Sequence, residues 1–243
     1  MKTLKEIFKI NKGDVVSIVG TGGKTTLMFQ LGKELKEQYK VLLTTSTKIF
    51  KPDEESYDYI YTSIEDYKND NIKNGITVLS KDINYENNKL IGIDDNILEH
   101  VIDDFDLVLI EADGSRNLPL KGWKKHEPPI LSKTNKTIGI ISINILEQKI
   151  SEDIIYGFEE FKNFLSNDDI IDSKVVGRIC SSNNGIFKNS RGELYIYINK
   201  VDSVEELKKA QDLAKYLKDF ITGSPFNFKI CYGSLKKGVY YEY

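Results

Sequence analysis

The first fifty residues alternate between two hydrophobic patterns. Residues Asp14 to Val19 form a short apolar, β-branched run that stops at a glycine, which predicts a buried strand followed by a tight turn. Apolar residues at helical spacing then predict a helix from about Thr25 to Gln38; they are Leu27, Met28, Leu31 and Leu35. The run from Val41 to Thr45 predicts the next strand. A strand, a helix and a strand this close together form a βαβ unit, which implies a parallel sheet covered by helices.

Similar runs continue to the end of the chain. The clearest is the apolar strand from Asp106 to Ile110, which ends at acidic residues. The other predicted strands span Tyr57 to Tyr61, Ile76 to Ser80, Lys89 to Ile93, Thr137 to Ser142, Leu194 to Ile198, Phe228 to Tyr232 and Val239 to Tyr243. A short polar helix is expected between the first two of these, and another helix from Asp95 to Ile102.

Two further helices are predicted in the second half. One begins at Ser151 and places on one face Ile154, Ile155, Phe158, Phe161 and Leu165. The other opens with a capping-box pattern at Ser203 and Glu206, and its inward face is predicted to carry Val204, Leu207, Ala210, Leu213, Ala214, Leu217 and Phe220. The segment around 150–190 is compatible with a small helical insertion. Together the elements predict one α/β domain over residues 1–243, with a doubly wound, mostly parallel sheet and helices on both faces.

The amino-acid composition bears on which partners the protein binds and in which cellular compartment it is expected. Lys and Arg number 34 against 37 for Asp and Glu, a net charge of -3, which gives no general attraction to nucleic acid or to an anionic membrane. No run approaches the roughly 20 apolar residues of a membrane span. The two cysteines lie far apart, as expected for a reducing compartment. We therefore expect a cytoplasmic protein without nucleic-acid or membrane partners, its oligomeric state open.

A glycine-rich loop between the first strand and the first long helix predicts a phosphate-binding site. It comprises Gly20, Thr21, Gly22, Gly23, Lys24, Thr25 and Thr26. Glycines let successive backbone N–H groups turn toward one anion, and the helix N-terminus adds partial positive charge. Lys24 can reach the β- and γ-phosphates of ATP or GTP, and the Thr25 hydroxyl is placed to ligate Mg²⁺. The loop is shorter than the common P-loop pattern and resembles that of Mur-type ligases. These residues predict a P-loop NTPase-like fold.

Acidic residues follow the apolar strand that ends at Ile110. Because ligands bind beyond the carboxyl ends of parallel strands, Glu111 and Asp113 are candidates for this site. One carboxylate can hold Mg²⁺, directly or through water, and the other can orient an attacking water or bind the substrate. Arg116 is one of only three arginines and could neutralise phosphate charge in the transition state, although a surface ion pair explains it equally well.

Two other strand ends carry candidate ligands. Thr45, Thr47 and Lys48 follow the second strand and could complete a Mg²⁺ or phosphate shell or bind an anionic substrate, or they form an ordinary polar loop. The N-K-x-D pattern after the strand ending at Ile198 consists of Asn199, Lys200 and Asp202. In many GTPases this pattern recognises guanine, with the aspartate accepting from the base. The alternative is an ordinary strand–loop–helix junction.

These segments together resemble the YqeC-like accessory proteins of selenium-dependent molybdenum hydroxylases. The resemblance rests on three blocks: Val19–Thr26, Leu43–Ile49 and Glu111–Arg116. It extends through Leu118–Lys121 and His126–Pro128 to Asn199–Asp202. By resemblance, His126 and Glu127 join Lys121 as candidate substrate-binding residues. The resemblance also implies a molybdenum hydroxylase, or its maturation proteins, as partner.

Three functions fit these observations. The first is a Mg²⁺-dependent ATP or GTP hydrolase that acts as a maturation factor, its loops ordered by nucleotide and released by hydrolysis. The second is an ATP-dependent ligase or small-molecule kinase, suggested by the Mur-like loop and by Lys48, Lys121 and His126, which could hold an acceptor. The third is a nucleotide-dependent binding module without catalysis. We expect the first.

Overall fold

The computed structural model describes residues 2–68, 72–221 and 224–243. The strands are β1 Val15–Gly20, β2 Lys40–Thr45, β3 Lys48–Phe50, β4 Tyr59–Tyr61, β5 Gly75–Leu79, β6 Asp82–Asn84, β7 Lys89–Ile91, β8 Leu107–Glu111, β9 Leu120–Lys121, β10 Lys136–Ser142, β11 Ile155–Tyr156, β12 Glu193–Asn199, β13 Phe228–Ser234 and β14 Val239–Glu242. The helices are α1 Leu4–Ile7, α2 Lys24–Leu35, α3 Ile64–Lys68, α4 Asp95–Val101, α5 Phe158–Phe161, α6 Ser173–Ser181 and α7 Val204–Ile221. Short 3₁₀ turns follow the helices α4 and α5 and the strands β3 and β10.

Nine of these strands form one sheet, in the order β14-β13-β12-β10-β1-β8-β2-β5-β4. Every neighbouring pair is parallel except β13 and β14. From β1 the chain runs to β2 on one side, and from β8 it crosses to β10 on the other. Connections that diverge in this way leave a crevice beyond the carboxyl end of β1, which is the usual ligand position in such sheets.

Side chains alternate between two hydrophobic cores, one on each face of the sheet. Ile18 and Leu43 pack in the core beneath α1 and α2, whereas their neighbours Val19 and Leu42 pack in the core that includes α4, α6 and α7. All six residues of β1 are buried. Continuous burial of this kind is expected for parallel strands covered by helices on both faces. The class is therefore α/β with a mostly parallel sheet, as the sequence predicts.

Two smaller sheets flank the carboxyl edge of the main one. The antiparallel strands β3, β7 and β6 form the first, in that order, and β9 pairs in parallel with β11 in the second. The sequence predicts only β7 among these five strands. Strands of two or three residues are too short to show a period, and their pairing depends on partners distant in the chain.

The helix predicted from Ser151 is wrong. The backbone of 154–156 instead pairs with 120–122, because Leu120 N donates to Ile154 O at 3.1 Å and Gly122 N donates to Tyr156 O at 2.8 Å. A helix begins only at α5 and continues into a short 3₁₀ turn. The longest helix within the segment around 150–190 is α6. The apolar spacing of this segment is compatible with a helix, but pairing with the distant residues 120–122 makes it a strand.

The long C-terminal helix is predicted correctly except at its first turn. Ser203 Oγ accepts from Glu206 N at 3.1 Å, but the Glu206 carboxylate accepts from Asp202 N at 2.8 Å, one residue earlier than a capping box requires. Val204, predicted to face inward, is 85% exposed, because the first turn of α7 extends past the core. Among the described residues, no helix combines the length and hydropathy that a membrane span needs.

Candidate functional site

The glycine-rich loop joins β1 to α2 and lies at the crevice beyond the sheet. Gly20 has φ +92°, and a Cβ there would lie 2.4 Å from Ile140 O. Gly23 has φ +134°, and a Cβ there would lie 2.5 Å from Asn199 Nδ2. Both positions require glycine because the left-handed backbone and the close neighbours exclude a side chain. The loop thus packs its backbone against β10 and β12 while its N–H groups lead into the N-terminus of α2.

The Lys24 amine is buried among oxygen atoms at the base of this loop. Its Nζ donates to Gly20 O at 2.7 Å and lies 3.3 Å from Asp113 Oδ1 and 3.7 Å from Glu111 Oε1. The side chain is only 6% exposed, so its charge is compensated almost entirely by these groups. A phosphate bound in the loop can replace the carboxylates as the partner of this amine.

Thr25 and Glu111 are hydrogen-bonded to each other directly beside Lys24. Thr25 Oγ1 donates to Glu111 Oε2 at 2.5 Å, and both residues line the cleft described below. Burial raises the pKa of Glu111, an effect that Lys24 and Thr25 partly offset. Hydroxyl and carboxylate oxygens are the ligands that Mg²⁺ prefers, usually with several waters and substrate phosphates. The pair therefore fits Mg²⁺, although the described residues contain no cluster of three or more His, Cys, Asp or Glu side chains that could hold a metal.

Asp113 is completely buried and does not line the cleft. Its Oδ2 accepts from Gly20 N at 3.1 Å and from Trp123 Nε1 at 2.9 Å, and lies 3.7 Å from Lys121 Nζ. The carboxylate therefore joins the start of the phosphate loop to the segment that follows β8. Glu111 therefore lines the cleft and Asp113 lies beneath the loop, while both carboxylates face the Lys24 amine.

The residues implied by resemblance fall in different places. Lys121 is buried, donates to Gly114 O at 2.6 Å and lies 3.1 Å from Glu127 Oε1. Glu127 lines the cleft, whereas His126 is exposed and outside it. Arg116 lines the cleft, has φ +51°, and lies with Cζ 5.4 Å from the centre of the Tyr156 ring.

The loop after β2 supports the end of β8 and lines part of the cleft. Thr45 is buried, and its hydroxyl donates to Glu111 O at 2.8 Å, which fixes the end of β8. Thr47 and Lys48 line the cleft. Thr21 at the phosphate loop is also structural, since its hydroxyl donates to Pro119 O at 2.6 Å.

The N-K-x-D residues lie beside the phosphate loop. Asn199 Nδ2 donates to Gly22 O at 2.8 Å, and its Oδ1 accepts from Leu235 N at 3.2 Å. Asp202 Oδ1 accepts from Ser234 Oγ at 2.5 Å, whereas Oδ2 has no hydrogen-bond partner among the described residues. The end of β13 thus holds the Asp202 carboxylate in place with one oxygen left to bind a ligand. Ser234 and Leu235 were not predicted, and only their position just after the closing strand could have indicated them.

These residues surround one cleft of about 1130 Å³. The predicted site residues that line it are Gly22, Gly23, Lys24, Thr25, Thr26, Thr47, Lys48, Glu111, Arg116, Glu127, Asn199, Lys200 and Asp202. Those outside its lining are Gly20, Thr21, Thr45, Asp113, Lys121 and His126. Unpredicted lining residues include Phe50, Lys89, Tyr156, Leu235 and Lys236. Most of the predicted residues therefore converge, although they come from five separate segments of the chain.

Comparison with known proteins identifies the family. A family model described as "YqeC protein" matches residues 16–159, more than half of the chain. The chain is also 27% identical over 180 residues to "Uncharacterized protein YqeC" of Escherichia coli (strain K12), which covers 72% of this chain and 70% of the relative. The matched range of the family model contains the phosphate loop, the Glu111 strand end and the segment through Glu127. The chain therefore belongs to the YqeC protein family.

Proposed function

We propose that this protein binds GTP together with Mg²⁺ and hydrolyses it to GDP and phosphate. The observation that carries the proposal is the double hydrogen bond of Asn199, which joins Gly22 of the phosphate loop to Leu235 at the end of β13. Asp202 and the glycine-rich loop line the same cleft, which supports the proposal. The two motifs are 176 residues apart, counted from Thr26 to Asp202, and the parallel sheet brings them to the same edge.

The choice of GTP over ATP follows from the chemistry of Asp202. A carboxylate accepts hydrogen bonds only, and guanine presents a ring N–H and an amino group along one edge. Adenine has an unprotonated ring nitrogen at the equivalent position. Two acceptors would then face each other, and no hydrogen bond could form between them. A polar group left unpaired in this way costs binding free energy, so the site discriminates strongly between the two bases.

The phosphates and Mg²⁺ would occupy the other end of the nucleotide site. Backbone N–H groups of Gly22 and Gly23 and the N-terminus of α2 bind the phosphates, and the Lys24 amine exchanges its carboxylate partners for phosphate oxygens. Thr25 and Glu111 would hold Mg²⁺, which neutralises charge that develops on the phosphate oxygens during hydrolysis. Water attacks the γ-phosphorus, and the bond to the β–γ bridging oxygen breaks.

The biological role we propose is that of an accessory protein in the maturation of a selenium-dependent molybdenum hydroxylase. Membership of the YqeC family and the resemblance of the sequence blocks to such accessory proteins support this role. Thr47, Lys48 and Arg116 line the same cleft as the phosphate loop, so their loops can respond to bound nucleotide and present a different surface to a partner. The cycle of GTP binding and hydrolysis would then control the association.

The test is calorimetric binding of non-hydrolysable GTP and ATP analogues with Mg²⁺. We expect the GTP analogue to bind at least about 100-fold more tightly, a difference of roughly 2.7 kcal/mol. Lys24→Ala should remove most of this affinity and all measurable hydrolysis. Lys33→Ala is the matched control, because Lys33 is an exposed lysine on the same helix and lies outside the cleft.

Two outcomes would overturn the proposal. Equal nucleotide affinity in wild type and Lys24→Ala would show that the glycine-rich loop is not the phosphate site. A preference for ATP would refute the guanine assignment and favour the ligase or kinase alternative, which transfer of phosphate to an acceptor would then support.

A further inference from the structure

The cleft extends well beyond the residues assigned to the nucleotide. Small-molecule sites usually enclose roughly 300–1,000 Å³, whereas this cleft measures about 1130 Å³. One part is lined by the glycine-rich loop and by the residues after β12 and β13. The other part, called here the second subsite, is lined by Lys48, Phe50, Lys89, Arg116 and Tyr156. The proposed function assigns none of these five to the base or to Mg²⁺, and Phe50, Lys89 and Tyr156 have no assigned part in nucleotide binding.

Three of the five share one face of the small β3-β7-β6 sheet. Lys48 and Phe50 alternate with the buried Ile49, so they point to the same side of β3. Lys89 is the cross-strand partner of Phe50 and shares that side, with its Nζ 4.6 Å from the centre of the Phe50 ring. Phe50 is 54% exposed and lines the cleft, so its side chain is accessible to a ligand. This face offers a cation and an aromatic surface side by side.

Arg116 and Tyr156 add a second pair of the same kind. The Arg116 guanidinium lies 5.4 Å from the centre of the Tyr156 ring. Arg116 and Asn117 both have left-handed backbone, with φ +51° and +64°. The left-handed region is unfavourable for arginine, whereas asparagine tolerates it. The backbone is therefore held in an unfavourable conformation where it presents Arg116 to the cleft.

The charges of the second subsite are not neutralised by the protein. Among the described residues, no ion pair involves Lys48, Lys89 or Arg116. The nearby carboxylate of Glu127 is paired with Lys121. Asp82 on β6 is the cross-strand partner of Ile91 rather than of Lys89, and it does not line the cleft. Three unpaired cations around one cavity attract an anion.

The order of strands places this subsite beside the terminal phosphate. The proposed base-binding residues follow β12 and β13, on one side of β1, whereas β8 and β2 lie on its other side. Thr25 and Glu111, the proposed Mg²⁺ ligands, lie at the boundary between the two parts. A nucleotide with its base at Asp202 therefore directs its terminal phosphate toward Lys48 and Arg116.

We propose that the second subsite binds another ligand, an anionic small molecule with an aromatic ring, next to the terminal phosphate of the nucleotide. The cations bind its phosphate or carboxylate group, and Phe50 and Tyr156 stack on the ring. Only the position beside the phosphate rests on the proposed function, because the cations and rings are present whether or not GTP binds.

The experiment is calorimetric titration of protein saturated with Mg²⁺ and a non-hydrolysable GTP analogue. The probes are two ring phosphates of different size, flavin mononucleotide and pyridoxine 5′-phosphate. Riboflavin and pyridoxine provide the same rings without phosphate, and ribose 5-phosphate provides the phosphate without an aromatic ring. We expect at least one ring phosphate to bind, and its two partial analogues to bind at least about tenfold more weakly.

Variants assign the binding to the subsite. Lys89→Ala and Phe50→Ala should each weaken the ring phosphate about tenfold and leave the affinity for the GTP analogue unchanged. The matched controls are Lys33→Ala and Tyr85→Ala; Tyr85 is an exposed aromatic residue between β6 and β7 that does not line the cleft. Both controls should bind like wild type.

Each other outcome is decisive. Failure of both ring phosphates to bind below about 1 mM, or equal binding by ribose 5-phosphate, overturns the proposal. Competition between the ring phosphate and the GTP analogue overturns it too, since the probe would then occupy the nucleotide site. If the protein binds no GTP but binds the ring phosphate through Lys89 and Phe50, the proposed function fails and the second subsite stands.

Discussion

Replacing Asp202 by asparagine changes the hydrogen bonding of the proposed base site and preserves its shape. The carboxylate has one oxygen bonded to Ser234 Oγ at 2.5 Å and one without a partner among the described residues. In the Asp202→Asn variant, the amide would keep one oxygen to accept from Ser234 or from a ring N–H. It would also turn an N–H₂ group toward the position where guanine carries its own amino group. Two donors would then face each other.

The expected loss follows from the two hydrogen bonds that the carboxylate is proposed to accept from guanine, one at Oδ2 and one at the second lone pair of Oδ1, which already accepts from Ser234. Hydrogen bonds to a charged group contribute about 1.5–3 kcal/mol each. Asparagine can retain one of them in neutral form, so we expect a loss of about 3 kcal/mol, or ~100-fold in GTP affinity. Xanthine carries a carbonyl where guanine carries its amino group, and this carbonyl accepts from the asparagine amide. Affinity for XTP should therefore rise as affinity for GTP falls.

The assay is calorimetry with GTP, ATP and XTP analogues on wild type, Asp202→Asn and the control Asp212→Asn. Asp212 is an exposed carboxylate on α7, outside the cleft. A variant that exchanges its preference from GTP to XTP confirms direct contact with the base, because general damage to the fold would weaken all three nucleotides. Unchanged GTP affinity in Asp202→Asn would refute the argument and leave N-K-x-D as a helix start.

Three further predictions concern metal, backbone and pH. Thr25→Ala should weaken Mg²⁺-dependent nucleotide binding about tenfold yet leave binding in EDTA unchanged, as measured by calorimetry with and without the metal. Gly23→Ala should lower the melting temperature and the nucleotide affinity, because its Cβ would lie 2.5 Å from Asn199 Nδ2. Gly13 has φ +90°, and a Cβ there would have no atom within 4 Å. The control Gly13→Ala should therefore lower the melting temperature and leave the nucleotide affinity unchanged. Lys229 and Lys136 lower the pKa of Glu193 to about 2, so its contribution to stability is present above its unfolded pKa and is lost as pH falls toward 2. The melting temperature of Glu193→Gln should therefore lie below that of wild type at neutral pH, and the gap should close in acid.

The glycine-rich loop between a strand and a helix could be predicted from the sequence because all its parts are local. The apolar run before Gly20, the glycines, Lys24 and the periodic helix lie within about twenty residues, and backbone geometry alone sets their relation. Glu111 could also be predicted, since a fully apolar strand ends there. The sequence does not predict that Glu111 lines the cleft while Asp113 lies beneath the loop. That difference depends on Trp123 and Lys121, from a later segment, which contact the Asp113 carboxylate.

Local sequence is sufficient to specify which segments become buried parallel strands, where the glycine-rich loop lies between β1 and α2, and that the class is α/β. Hydrophobic period and turn chemistry are properties of short windows, so a single chain reveals them. The folded arrangement was needed to show that Asn199 reaches Gly22, that Ser234 fixes Asp202, and that Phe50 and Lys89 share a face beside the same cleft. Those contacts depend on strand order and on pairing between distant segments. These contacts are stabilised by burial and hydrogen bonding across the whole sheet. A short stretch of sequence therefore does not predict them.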